Sequence, residues 1–198
     1  VAPADVPALD AAAGRGEPLA LDVRGRHLRD VPGRNIVGRL DRGKARTIVV
    51  STPVSSWFTS SCERGPGIAA FLATARLAAE RWTEVNWVFV ATAGHEIGHG
   101  GMGRFLHDGA PPRQQVAAWL HYGASLACAG AAGTPDNRAQ RVVAMAGRVV
   151  PAVTAGFAPI AARRLEGAAA NVGELREIMA AGHGDVFGMA GLHPYFHT

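Results

Sequence analysis

Aromatic residues make up only 7% of the 198-residue chain, and none precedes Trp57. Proteins that bind single-stranded nucleic acid stack bases on aromatics set among cations. The nine basic residues between Arg15 and Arg46 lack such partners and are interleaved with Glu17, Asp22, Asp30 and Asp41. They read as solvated surface, and a nucleic-acid partner is not expected. Lysine is nearly missing: of 20 basic residues only Lys44 is not arginine. That bias, with the abundance of alanine, reads as a GC-rich, bacterial coding sequence. Two cysteines, Cys62 and Cys128, are too few for a disulfide scaffold or a C-x-x-C zinc site. No apolar run approaches the ~20 residues of a membrane span, so a soluble protein is expected, either cytoplasmic or secreted. The G-x-S-x-G elbow of serine hydrolases is absent. The opening VAPADVPALD has no initiator Met and no signal-peptide pattern, which reads as a processed product or a piece of a longer chain.

Hydrophobic patterning fills the rest. Residues 1–18 read as a short helix ended by Gly14 and Gly16. LALDV (19–23), NIVGRL (35–40) and TIVVST (47–52) read as strands. GIAAFLATARLAAERW (67–82) is a helix with Ile68, Phe71, Leu72, Ala75 and Ala79 on one face. VNWVFVATA (85–93) reads as a strand covered on both faces, and VAAWLHYGASLA (116–127) as another. Trp82, Trp87 and Trp119 read as core. Two or three helices are expected over 138–182, then a Gly- and His-rich loop with a short helix. Alternating strands and helices imply a three-layer α/β/α sandwich with a mostly parallel sheet. In open sheets of that kind, ligands collect at the carboxyl ends of the strands.

The polar clusters fall just after strands. Five of the eight histidines (His95, His99, His121, His183 and His193) lie at or near those ends, with Glu63 and Glu96. His95-Glu96-Ile97-Gly98-His99 spells H-E-x-x-H. On a helix that spacing would put two imidazoles on one face to hold zinc, with the glutamate as base. Gly94, Gly98, Gly100, Gly101 and Gly103 crowd the motif, however, and each costs a helix ~1 kcal/mol.

NIVGRL, the strand IVVS, the Ser-rich loop, GPGIAAFLATARLAAE and VNWVFVATAGHEIGHGGMGRFL together resemble the zinc aminopeptidase family that includes the glutaminyl cyclases. The likeness covers about residues 35–125, with an echo at 182–194. Residues 1–30 resemble the tail of the protease-associated domain inserted in some members, leaving 31–198 as the aminopeptidase-like domain. Carried over one residue at a time, the resemblance puts the first metal-binding histidine on Pro53 and its aspartate partner on Ser55. The bridging aspartate falls on Glu63, the general base on His95 and a metal-binding glutamate on Glu96. The next metal-binding aspartate falls near His121. The last metal-binding histidine falls near Gly184, where His183 can substitute.

One zinc is therefore expected rather than two, held by Glu63, Glu96 and His183 or His121, with His95 moving protons. The H-E-x-x-H set His95, Glu96 and His99 stands as the alternative metal site. Trp57 and Phe58 either wall a substrate pocket or pin their loop. Ordinary roles compete: Glu63 as a helix-end charge, His121 as a hydrogen-bonded core histidine, and His193 and His197 as solvated terminal residues. Nothing in the sequence argues for an activated Cys62 thiol. Two functions follow: metal-dependent hydrolysis of a peptide or small amide bond, or a non-catalytic relative used for binding or assembly. Homo-oligomerisation is left open.

Overall fold

The computed structural model describes residues 3–20, 22–126, 141–193 and 196. Two compact units are present, Val1–Pro32 and Gly33–Thr198. The first holds one regular α-helix, α1 (Val6–Gly14), with Pro7 in its first turn, where the missing N–H costs nothing. The strand expected over 19–23 does not form: its described residues are exposed and irregular. Among the described residues no strand pairs with them to take their backbone groups.

The second unit is a seven-stranded sheet in the order β1-β3-β2-β4-β7-β5-β6. The strands are β1 (Ile36–Leu40), β2 (Thr47–Pro53), β3 (Asn86–Thr92), β4 (Val116–Tyr122), β5 (Val142–Ala146), β6 (Arg163–Glu166) and β7 (Val186–Ala190). The pairs β1–β3 and β5–β7 are antiparallel and the other four are parallel. The helices are α2 (Ser61–Glu80), α3 (Gly100–Asp108), α4 (Val150–Gly156) and α5 (Leu175–Ala180). This is the expected mostly parallel α/β/α arrangement.

Strand alternation sorts the core into two layers. Val49, Val88, Val90, Trp119, Ala144 and Val186 face α3 and α5 with Phe105 and Ile178. Val50, Trp87 and Phe89 face α2 through Phe71 and Ala78. Val143, Met145 and Phe187 pack on the α4 side. Helix α2 begins six residues earlier than its periodicity implies, and it buries Gly67, Phe71, Thr74 and Ala78. Leu72, expected inward, is 60% exposed, and Trp82 is 44% exposed while stacking on Trp87.

The largest departures lie beyond residue 140. The segment expected to be helical holds β5 and β6 between short helices, and the expected terminal loop is β7. These strands have four or five residues, too few for alternation to separate them from a buried helix turn. Gly188 disguises β7 further. A Cβ there would meet Leu175 Cδ1 at 2.5 Å, so the glycine marks close packing of α5 on the sheet. Cys128 and His197 lie outside the described residues, and none of the described helices is long and apolar enough to cross a membrane.

The glycines around H-E-x-x-H have specific duties. Gly94 (φ 70°) and Gly98 (φ 85°) occupy the left-handed region and bracket a single 3₁₀ turn over His95–Ile97. Gly101 lies against β3, where a Cβ would stand 2.2 Å from the Ala93 carbonyl oxygen and 2.5 Å from Asn35 Oδ1. Gly101→Ala must push α3 off the strand end. We expect it to lower unfolding free energy by about 3 kcal/mol, as read by urea titration.

Candidate functional site

The carboxyl ends of β2, β3 and β4 meet the start of α2 and the loop entering α5, and two buried acid centres form there. The first is built on Arg64. Its Nη2 donates to Glu63 Oε1 at 2.8 Å and to Glu96 Oε1 by a shorter bond, and its Nε donates to the Ser55 carbonyl at 2.9 Å. The second Glu63 oxygen accepts the Ser56 hydroxyl at 2.6 Å. The side chains of Glu63 and Arg64 are 1% and 5% exposed. Removing one member of a buried pair leaves the other uncompensated and costs ~3–5 kcal/mol. Arg64 Nη1 is buried and has no hydrogen-bond partner among the described residues, at a cost of ~1–3 kcal/mol.

The second centre is Glu174, in the loop entering α5 and fully buried. Both its oxygens stand 3.1 Å from the Thr92 hydroxyl, and Oε1 is 3.1 Å from His95 Nδ1. Burial favours the protonated acid, but the bond from His95, the nearby His121 and the Thr92 bond prevail and hold the Glu174 pKa below its ordinary value. One helical turn on, Glu177 Oε2 holds His99 Nδ1 at 2.8 Å. The His95 and His99 rings lie 4.6 Å apart.

The tautomers follow from the partners. Trp119 Nε1 donates to Ser51 Oγ at 2.8 Å, and Ser51 Oγ lies 2.9 Å from His121 Nδ1. Ser51 thus donates onward to His121 Nδ1, and the His121 proton resides on Nε2. His121 is neutral because burial pulls its pKa from 6.5 down to about 4, against the pull of Glu174. His95 donates from Nδ1 to Glu174, which leaves Nε2 with a lone pair when the ring is neutral. Both rings line a cavity of about 130 Å³, otherwise walled by Val142, Leu175, Met189 and their neighbours. Two imidazoles with opposite proton placements therefore line one small apolar space.

Of the residues singled out in the sequence, Glu63, Glu96, His95 and His121 come together here. His99 joins them beside His95, but on the far side of a 3₁₀ turn rather than along an α-helix. His183 does not join them. Its ring packs 4.8 Å from Trp119. His121 pairs with Gly188, and His183 precedes the first residue of the parallel strand β7, so it lies toward the amino ends of the two strands. Burial, then Arg113, lowers its pKa. Trp57 and Phe58 are 51% and 86% exposed and do not line the cavity. Cys62 is a free thiol. Sequence reasoning missed Arg64 and Glu174. The one available signal for Arg64 was a cation directly after a candidate metal carboxylate, and Glu174 lay in a segment read as helix. Of five non-glycine residues with positive φ among those described, Phe58, Ser60, His99 and Ser125 border this region, as strained residues at ligand sites do.

The zinc ligands implied by the resemblance do not fit a metal in this arrangement. Glu63 and Glu96 both hold Arg64, Pro53 offers no ligand, and His121 Nδ1 takes the Ser51 hydroxyl. A divalent ion at ~4 Å from the guanidinium would meet roughly 8 kcal/mol of repulsion at an effective dielectric constant of ~20. Among the described residues no three His, Cys, Asp or Glu side chains are disposed to hold a metal.

The sequence matches no known family profile and no curated protein. Solved structures share the fold. BSAP, a zinc aminopeptidase from Bacillus subtilis, superposes with a TM-score of 0.64 at 14% identity, over 83% of this chain and 43% of that one. A Zn-dependent exopeptidase from Parabacteroides distasonis gives 0.60 at 10% identity, over 81% and 64%. The glutaminyl cyclase of Bacteroides thetaiotaomicron gives 0.58 at 12% identity, over 83% and 68%. The chain thus has the zinc-aminopeptidase fold and spans under half the length of the Bacillus enzyme.

A histidine kept neutral by burial stabilises the fold fully above its unfolded pKa near 6.5, and that stability is lost as pH falls from there toward 4. The His121 share of this loss is about 2 kcal/mol between pH 7.5 and pH 5, above the range where Glu174 takes up its proton. His121→Asn, whose side chain can still accept the Ser51 hydroxyl, should flatten that part of the profile in urea titrations.

Proposed function

We propose that this domain uses the aminopeptidase fold to bind a small amide-bearing or peptide-like ligand, and that zinc-dependent hydrolysis is not its activity. The observation that carries this reading is the Glu63–Arg64–Glu96 triad. Two carboxylates that would hold a metal spend their charge on a cation of the chain itself. Such a cation cannot offer the open coordination position that a catalytic zinc gives to water. Of the two functions read from the sequence, binding is therefore favoured over metal-dependent cleavage.

The cavity at the strand ends supplies the binding chemistry. An amide group carries one carbonyl acceptor and, unless fully substituted, an N–H donor, matching the His121 Nε2 proton and the His95 Nε2 lone pair. Glu174 fixes the His95 tautomer, and Ser51 with Trp119 fixes that of His121. The apolar walls favour a short aliphatic body, and about 130 Å³ limits the ligand to a small molecule or a single side chain. Pockets of this type are mostly apolar with a few placed polar groups.

Metal analysis of the purified protein tests the reading. We expect no stoichiometric zinc and a melting temperature indifferent to chelator. One zinc per chain, lost in Glu96→Ala, would return the hydrolase to first place. Zinc retained in Glu96→Ala but lost in His99→Ala would point to the H-E-x-x-H set.

A further inference from the structure

We propose that the Arg64 guanidinium is the resident cation of this cleft, and that removing it uncovers a divalent-metal site founded on Glu63 and Glu96. The proposal rests on the metal-free reading of the native protein given above. A salt bridge needs one carboxylate, and here two converge on the same nitrogen, Nη2. They come from separate elements, the first turn of α2 and the 3₁₀ turn after β3, 32 residues apart for Arg64 and Glu96. Convergence of carboxylates from different elements on one point is the demand of a small, highly charged ion.

The donor count agrees. A guanidinium has five N–H donors in a planar fork. The described residues supply acceptors to Nε and twice to Nη2, and none to Nη1, which is buried. A cradle shaped for arginine would use both arms of the fork, whereas this one is shaped for a point charge.

Two carboxylates, with water completing the coordination, suit a divalent ion such as Zn²⁺ or Co²⁺. A purely structural ion pair would behave differently, since its loss would weaken the protein in a way no metal repairs.

The test is thermal unfolding of the full chain in EDTA and in zinc, with cobalt absorption as a second readout. Wild type should melt at one temperature in both and give no cobalt spectrum. Arg64→Ala should melt lower in EDTA, regain stability with one equivalent of zinc, and show cobalt d–d bands. R64A/E96Q should lose both responses, and Arg64→Lys, which keeps the charge, should stay indifferent to zinc. If Arg64→Ala is unfolded in EDTA, folding on addition of zinc is the expected result. A folded Arg64→Ala that ignores zinc, one that folds in neither condition, or an Arg64→Lys that binds zinc equally well would each overturn the proposal. Failure of the preceding reading would show separately, as Glu96-dependent zinc in wild type.

Discussion

A single guanidinium held between two carboxylates sets the constraints on this cleft. The chain buries the charges of Glu63 and Arg64 almost fully and that of Glu96 in large part, at 18% exposed. Such burial is sustained only with near-complete pairing. The pairing fixes the first turn of α2, the loop of Ser55 and Ser56, and the 3₁₀ turn carrying Glu96. The strained backbone of Phe58 and Ser60 lies in that same loop. Their left-handed conformations, costing ~1–3 kcal/mol each, are held in place beside the buried ion triad.

The second acid obeys a different rule. Among the described residues no guanidinium bonds to Glu174; Thr92 and His95 serve it instead. A buried carboxylate satisfied by a hydroxyl and an imidazole N–H keeps its charge while fixing which nitrogen of His95 is left free. His121 is treated the opposite way: burial keeps it neutral, and a serine ordered by a tryptophan assigns its proton. Two histidines, one just beyond β3 and the other on β4 with β2 between them, thus carry complementary groups because their partners differ.

The parts of this architecture that the sequence reveals are those with enough residues to show a period. β2, β3 and β4 have seven residues each and α2 has twenty, so alternation and helical spacing speak clearly there. β5, β6 and β7 are shorter, and Gly188 replaces an apolar residue in the last because Leu175 fills the space. The H-E-x-x-H glycines argue against a helix, and Gly94 and Gly98 show why, with φ values open chiefly to glycine. Arg64 is invisible as a site residue for a different reason. One arginine among nineteen reads as surface, and only a pairing with Glu96 across 32 residues distinguishes it. Glu174 meets His95 across 79 residues, through strands that short-range patterning does not find. The His183 position shows the converse error: a histidine close in sequence to a motif lands at the amino ends, because β7 runs parallel to β4.

Likeness of fold at 10–14% identity carries the position of the cleft and leaves its chemistry open. What differs between a cleft built on a metal and one built on Arg64 is how the cation is attached. A metal ion dissociates, exchanges with chelators and keeps a vacant position for a reacting oxygen. A guanidinium is covalently tethered, stays charged at any pH the protein meets, and spends its donors on fixed acceptors. A cleft organised in the second way has no exchangeable metal ion with which to polarise a carbonyl. Recognition must then come from shape and from hydrogen bonds whose direction is set in advance. The paired imidazoles over the cavity meet that requirement without drawing on the ion triad, since their anchors are Glu174 and Ser51. The two centres differ in kind: one places a tethered cation between two carboxylates at the strand ends, and the other orients the imidazoles that line the cavity.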